Sequence, residues 1–199
     1  SEENIMPLGA NKAAIMGVAG VSTGDVVLLS SQTASGDSAL SFTGMSSTYG
    51  EYIFKFYNIN PATDDTNLSF QFNASGESGY NETVTTTFFR AKHDEADSTY
   101  NLAYVAGSDL AQATSFQQVT QGSGNGADES SVGEMHIFNP SSTTYVTHFN
   151  VMTQIYQNGN ASFHAFVGGY VNTTAAITDV QFKMSSGNFD GKIKMWGVK

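Results

Sequence analysis

Apolar and polar residues alternate along most of this chain, and a two-residue period is typical of β-strands that bury one face. Leu68, Phe70 and Phe72, for example, alternate with polar neighbours. The same period recurs in residues 51–59, 83–90, 145–157, 163–171, 180–184 and 193–195. With about ten to twelve such runs, the chain is predicted to be all-β, an antiparallel β-sandwich of jelly-roll-like form.

The alternation also predicts which side chains face the core. The residues on the apolar parity of their runs, expected to point inward, are Phe54, Phe56, Leu68, Phe70, Phe72, Phe149, Val151, Phe182, Ile193 and Met195. The apolar run over residues 26–29 is predicted as a short buried strand, and residues 108–113 are a weak helix candidate. Asn158-Gly159, which separates two alternating runs, predicts a type I′ hairpin turn.

Residues 1–24 follow a different pattern. The apolar side chains of this segment, which is too short to build a core, are Ile5, Met6, Leu8, Ile15 and Met16. A frayed terminus is one interpretation. The other, which we adopt, is a short extended arm that docks on a partner through these five side chains and that, fully extended, would reach roughly 80 Å. We therefore divide the chain into a docking arm, residues 1–24, and a single β-sandwich domain, residues 25–199.

The composition agrees with a β-fold and excludes two classes of partner. Charged residues make up only 13% of the chain, and Ser, Thr, Asn, Gln and Gly, the residues of strand and turn surfaces, take their place. The net charge is −10 with a single arginine, Arg90. Nucleic acids and anionic membrane surfaces both require basic side chains, so neither is an expected partner. No apolar run approaches the ~20 residues of a membrane span, so we expect no membrane insertion.

No constellation of residues predicts a metal or cofactor site. The chain has no cysteine, which excludes thiolate metal sites and thiol nucleophiles. The four histidines, His93, His136, His148 and His164, are dispersed. A two-histidine metal site at His148 and His164 and calcium binding by the acidic residues 93–97 are weaker alternatives. We predict no metal and no cofactor.

Nor does the sequence predict catalysis. Glu51, Glu82 and Glu134 lie on predicted strands, but no spacing places two of them in one cleft, as glycoside hydrolysis requires. We therefore predict that the protein is not an enzyme and has no catalytic residue. The aromatic residues opposite the core parity are Tyr57, Phe89, Tyr156 and Tyr170. They belong either to a second buried face or to a surface that stacks on sugars or packs against a protein.

Several phrases of the sequence together resemble a known family. The phrases cover residues 49–65, 93–95, 109–116, 138–144, 168–174 and 182–188, and the similarity extends from Leu28 to Lys199. They resemble small virion proteins of tailed bacteriophages, many from marine hosts, which are described as tail fibre-like or structural. None of the phrases is a catalytic motif, and the family has no catalytic residue to carry over to this chain.

The resemblance implies a non-enzymatic structural protein of the phage virion, exposed on the particle surface. Tail-fibre shafts are long and repetitive, whereas only residues 1–24 precede the domain here. We therefore expect a capsid decoration or head-fibre protein anchored by its N-terminal arm. The alternative is a tail fibre or tail-tip domain that binds a host surface glycan. We expect synthesis in the host cytoplasm, assembly onto the virion as a homotrimer, and contacts with the major capsid protein or tail proteins.

Overall fold

The computed structural model of the protein describes residues 25–199, and the expected docking arm with Ile5, Met6, Leu8, Ile15 and Met16 lies outside the described residues. Residues 25–199 form twelve strands and no helix. The strands are β1 Val26–Asp37, β2 Leu40–Phe42, β3 Glu51–Pro61, β4 Leu68–Ala74, β5 Val84–Asp94, β6 Tyr100–Tyr104, β7 Gln117–Gln118, β8 Ser131–Phe138, β9 Thr147–Gln157, β10 Ala161–Val171, β11 Ile177–Met184 and β12 Phe189–Val198.

The strands assemble into two packed antiparallel sheets of unequal size. The large sheet has the order β1-β12-β3-β8-β9-β10-β5-β6, and the small sheet has the order β2-β11-β4-β7. The prediction of an all-β antiparallel sandwich is therefore confirmed. The part of the chain that the structure describes holds no helix with the length and apolarity that a bilayer crossing requires.

A layer of phenylalanine rings fills the space between the sheets. All ten residues predicted to point inward are buried, and they belong to one continuous apolar cluster. Phe182 of β11 lies at its centre, with its ring centroid 5.2 Å from that of Phe56 and 5.4 Å from that of Phe54, both on the large sheet. Strand parity alone therefore identifies these core residues correctly.

The predicted hairpin joins β9 to β10, with a turn one residue longer than expected. Gln157 pairs with Ala161, so the loop has three residues, and Asn160 adopts a positive φ of 52°. This is the common three-residue hairpin, in which the last loop residue is left-handed. In the resulting register His148 pairs with Tyr170 and His164 with Gln154. The two histidines thus lie six residues apart along β10, roughly 20 Å, too far to share a metal ion.

Two local predictions are wrong, and both have a physical cause. The run over residues 26–29 is exposed, because β1 is an edge strand that pairs only with β12. Residues 108–113 form no helix, because their backbone groups bond instead to β5. The amide of Leu110 donates to the Thr86 hydroxyl at 2.8 Å, and Ala113 and Val84 exchange backbone hydrogen bonds. A helix would have required those groups for itself.

Loops of the protein cover the outer side of β4 in the small sheet. Strand β4 is buried on both sides, and Gln71 on its outer face is 1% exposed. The Gln71 side-chain amide donates to the carbonyl oxygens of Glu82, Thr114 and Ser115, at 3.1, 3.1 and 2.9 Å. The loops before β5 and before β7 are thereby held over this face.

Replacement of Phe70 tests the core assignment. Phe70 is 1% exposed and packs edge-on against Phe72 and Phe149. Phe70→Ala should lower the free energy of unfolding by about 3–5 kcal/mol, the usual loss for a large buried aromatic side chain. The control is Phe138→Ala, because Phe138 is 40% exposed, and it should cost about 1 kcal/mol or less. Denaturant titration of both variants measures the difference, and equal losses would contradict the assignment.

Candidate functional site

The outer face of the large sheet, called here the open face, is the principal candidate for a functional surface. Its outward side chains align in rows across the strands. The central row runs through Ser31, Lys194, Lys55, Glu134, Met152, Phe166, Phe89 and Tyr104. Every one of these side chains is exposed or half-buried. Residues 25–199 thus leave this face in solvent, although they cover the outer side of β4 in the small sheet.

One half of the open face is apolar and aromatic. It is formed by β9, β10, β5 and β6, and we call it the aromatic half. The rings of Phe89 and Phe166 stack with centroids 4.8 Å apart and planes at 9°. Phe89 is 42% exposed, and Tyr100 and Leu102 on the edge strand β6 are each 75% exposed. Exposed aromatic side chains concentrated in this way are typical of protein contact surfaces.

The other half, formed by β12, β3 and β8, carries charged side chains and is called the charged half. Lys55, Lys192 and Lys194 point outward here, and they are three of the eight cationic residues of the chain. The Lys55 ammonium lies 3.6 Å from a carboxylate oxygen of Glu134. The Lys194 ammonium lies 5.3 Å from the ring centroid of Tyr57. Lysines offset acids on this half, although the whole chain is strongly acidic.

The register brings together two carboxylates that the sequence could not pair. His136 lies between Glu51 and Glu134, with Nδ1 2.5 Å from a Glu51 oxygen and Nε2 3.5 Å from a Glu134 oxygen. The imidazole occupies the space between the two carboxylates. Glu82, the third candidate, lies elsewhere and accepts a hydrogen bond from the amide of Ala74. Glu134 and His136 line a depression of about 360 Å³ on the open face, together with Met152 and Phe166, whereas Glu51 is not part of its lining.

All four histidines lie on the open face, although they are dispersed in sequence. His164 stacks on Phe166 with centroids 4.4 Å apart, and His148 lies beside Tyr170. His93 Nε2 is 3.0 Å from a carboxylate oxygen of Asp97. Among the described residues, no group of three histidine or carboxylate side chains is placed to hold a metal ion.

A cleft of about 560 Å³ lies at the end of the open face, beside the turn between β5 and β6. We call it the acidic cleft, and its polar lining consists of His93, Asp94, Glu95, Asp97, Asp128, Ser130, Gln154, Tyr156 and Ser162. The Tyr156 hydroxyl donates a hydrogen bond to Glu95, and this bond raises the pKa of Tyr156 above its ordinary value. The cleft thus combines one aromatic ring with several hydrogen-bond acceptors.

Asp94 organises the turn beside this cleft. One carboxylate oxygen accepts hydrogen bonds from the amides of Ser98 and Thr99, at 2.8 and 3.0 Å, and the other accepts from the Ser98 hydroxyl. These bonds hold the pKa of Asp94 far below its ordinary value of 3.8. Both oxygens of Asp94 therefore accept hydrogen bonds within the turn. Asp94 is a structural residue of the acidic loop, residues 93–97, for which calcium binding was the weaker alternative.

The aromatic residues that strand parity placed opposite the core do lie on the open face. Tyr57 and Phe89 are exposed, and Tyr156 and Tyr170 are half-buried. The contribution of β6 was missed, although Tyr100, Leu102 and Tyr104 alternate with other residues in the sequence and could have signalled a strand.

Comparison with known proteins adds no assignment, since no family model and no curated protein sequence matches the chain. The case for function therefore depends on the fold, the open face and the acidic cleft.

Substitution of Asp94 tests its role in the turn. Asp94→Asn removes the charge that the Ser98 and Thr99 donors stabilise, so the amides of residues 98–104 should exchange faster with deuterium at pH 7. Asp97→Asn is the control, because the hydrogen-bond partner of the Asp97 carboxylate is the His93 ring and not the backbone of the turn. Equal exchange in the two variants would contradict the structural role of Asp94.

The same carboxylate predicts a pH dependence. The pKa of Asp94 is lowered in the folded state, so its carboxylate stabilises the turn fully at pH values above 3.8, the ordinary pKa of the group. The stabilisation is lost only as the pH falls toward the lowered pKa. In the unsubstituted protein, the Ser98 and Thr99 amide chemical shifts should therefore keep their native values as the pH falls through 3.8 and change only in stronger acid. A transition centred on 3.8 would show that the turn leaves Asp94 unperturbed.

Proposed function

We propose that the protein is a non-enzymatic structural protein of a bacteriophage virion, exposed on the particle surface. The observation that supports this function best is the open face, a broad sheet surface with exposed aromatic side chains and surface ion pairs. Such a surface is suited to contact with another protein. The sequence phrases between residues 49 and 188 that resemble virion proteins of tailed phages also motivate the proposal.

Within that class we favour capsid decoration, with the segment 1–24 as the anchor. The backbone oxygen of Asp25 accepts a hydrogen bond from the amide of Lys199 at 2.9 Å, at the edge of the large sheet. Asp25, the first described residue, is therefore held at this corner of the sandwich. The apolar residues of the segment 1–24, Ile5, Met6, Leu8, Ile15 and Met16, would bind a capsid protein, while the acidic, turn-rich domain keeps particles dispersed.

A tail fibre or tail-tip domain that binds a host glycan is the second candidate, and the acidic cleft favours it. Sugar rings stack on aromatic side chains, and their hydroxyl groups donate to carboxylate and amide oxygens. Tyr156, Asp128 and Gln154 offer these three chemistries around one concave space. Binding there would require no bond cleavage.

Removal of the arm and a count of copies test the first candidate. A protein of residues 25–199 should stay folded, because the described core uses none of the removed residues, and it should fail to join particles. The double variant Ile15→Asp, Met16→Asp should fail in the same way, whereas Lys12→Ala should still assemble. On the order of hundreds of full-length copies per particle would agree with a capsid position, and about three or six would indicate the tail. If the truncated protein unfolds, the assignment of residues 1–24 as a docking arm is wrong.

Incubation with host surface polysaccharide tests the absence of catalysis and the second candidate together. We expect no release of reducing ends over time. Release that rises with protein concentration and disappears in Glu134→Gln or Glu51→Gln would contradict the non-enzymatic proposal. Binding without release, weakened by Tyr156→Ala and unchanged by Tyr145→Ala on a distant loop, would favour the tail adhesin over the capsid protein.

A further inference from the structure

We propose that the open face is the interface between copies of this chain, and that the charged half of one copy covers the aromatic half of its neighbour. The inference extends the proposed function, because it rests on the expectation that the virion protein is a homo-oligomer and identifies the surface that forms the oligomer. Four observations support it: the size of the face, the exposure of its apolar side chains, its charge distribution and the orientation of its rows.

The face is large enough for a stable interface. Eight strands with neighbours ~4.8 Å apart span roughly 34 Å, and the five outward residues of a long strand span roughly 27 Å. Because β6 and β8 are shorter, the product of roughly 900 Å² is an upper value, and it is comparable to the ~800 Å² that each partner contributes to a standard protein interface. A second sheet packed face to face at ~10 Å would cover it completely.

Water is a poor environment for the aromatic half. Tyr100 and Leu102 are each three-quarters exposed, and Tyr104 is 56% exposed. All three lie on β6, an edge strand, and an apolar edge strand pairs or aggregates unless something covers it. Loops of residues 25–199 bury β4 of the small sheet on both sides. The same residues leave the outer side of β6 uncovered, and a second molecule that packs on it would remove these side chains from water.

The charges identify that molecule as a second copy. Acidic side chains surround the aromatic half: Asp97 and Glu95 at the turn after β5, and Asp109 beside Tyr104. Lys192 and Lys194 lie on the charged half, five strand spacings from β5, roughly 24 Å away. They cannot reach these acids within one molecule. At a net charge of −10, two copies repel in most orientations, but Lys192 and Lys194 can approach these acids when unlike halves meet.

The rows of the sheet define that orientation. Lys194 and Tyr104 belong to the same row, near opposite ends. A two-fold axis parallel to the strands places the row of one copy on the same row of the other, reversed. Lys194 then lies over Phe89 of the second copy, one strand from Tyr104 and Asp109, and the reciprocal contact forms at the same time.

Two tyrosines with nearly equal exposure provide a matched test in the full-length chain. Tyr100 is 75% exposed on the open face, and Tyr145 is 73% exposed on the loop before β9. Sedimentation equilibrium should show a dimer of the unsubstituted protein. Tyr100→Asp should raise its dissociation constant by about 30-fold or more, as loss of a buried interface tyrosine does, and Tyr145→Asp should leave it unchanged. A monomer of unsubstituted protein, or equal effects of the two substitutions, would overturn the proposal.

Charge reversal distinguishes a contact between copies from a contact with any other partner. In this orientation Lys192 faces Ala91 of the second copy, one row from His93 and the Asp97 carboxylate that contacts it. Lys192→Glu and Asp97→Lys should therefore each weaken self-association, and the double variant should recover most of it, because both charges are then exchanged. Lys199→Glu, at the far corner of the sheet, is the control and should have no effect. If the double variant assembles no better than the single variants, the proposed orientation is wrong. If the unsubstituted chain is monomeric and Tyr100 nevertheless resists nitration, its own residues 1–24 cover the face, which also overturns the proposal.

Discussion

The packing of Phe182 between the two sheets is the contact on which the rest of the structure depends. Its ring touches Phe54 and Phe56 of the large sheet and Phe42 and Phe70 of the small sheet. Edge-to-face aromatic pairs add stabilisation beyond the area they bury. Because these rings contact one another across the space between the sheets, the cluster fixes the distance between the sheets and the alignment of β3 with β11.

A four-stranded sheet cannot cover one whole face of an eight-stranded sheet, and this mismatch determines the remaining architecture. The residues between β6 and β7 cover what the small sheet leaves bare, and a buried amide holds them there. Gln117 accepts a hydrogen bond from the Thr86 hydroxyl and donates to the carbonyl oxygen of Ser108 at 2.8 Å. Val119, which follows, is fully buried against the large sheet. Because the residues between β6 and β7 pack on the inner face of the large sheet, no described residue remains to cover its outer face.

Sequence pattern predicted the core well and the surface incompletely, for a physical reason. The burial of a residue such as Phe70 can be predicted from its neighbours in the sequence, because the alternation of apolar and polar residues is local to one strand. The edge position of β1 is not local, so the exposure of Leu28 could not be predicted from an apolar run. The contact of Glu51 with His136 joins residues 85 positions apart. The open face is likewise a property of strand order, which a two-residue period does not encode.

The position of β12 has a consequence for synthesis on the ribosome. This strand lies between β1 and β3, so the two long strands made first have no neighbour on that side until residues 189–198 emerge. Pairing across such sequence separations is slow, because loop-closure entropy opposes it. The large sheet therefore closes only after residues 189–198 have been made. Until then β1 and β3 expose unpaired edges, which makes the nascent chain prone to aggregation.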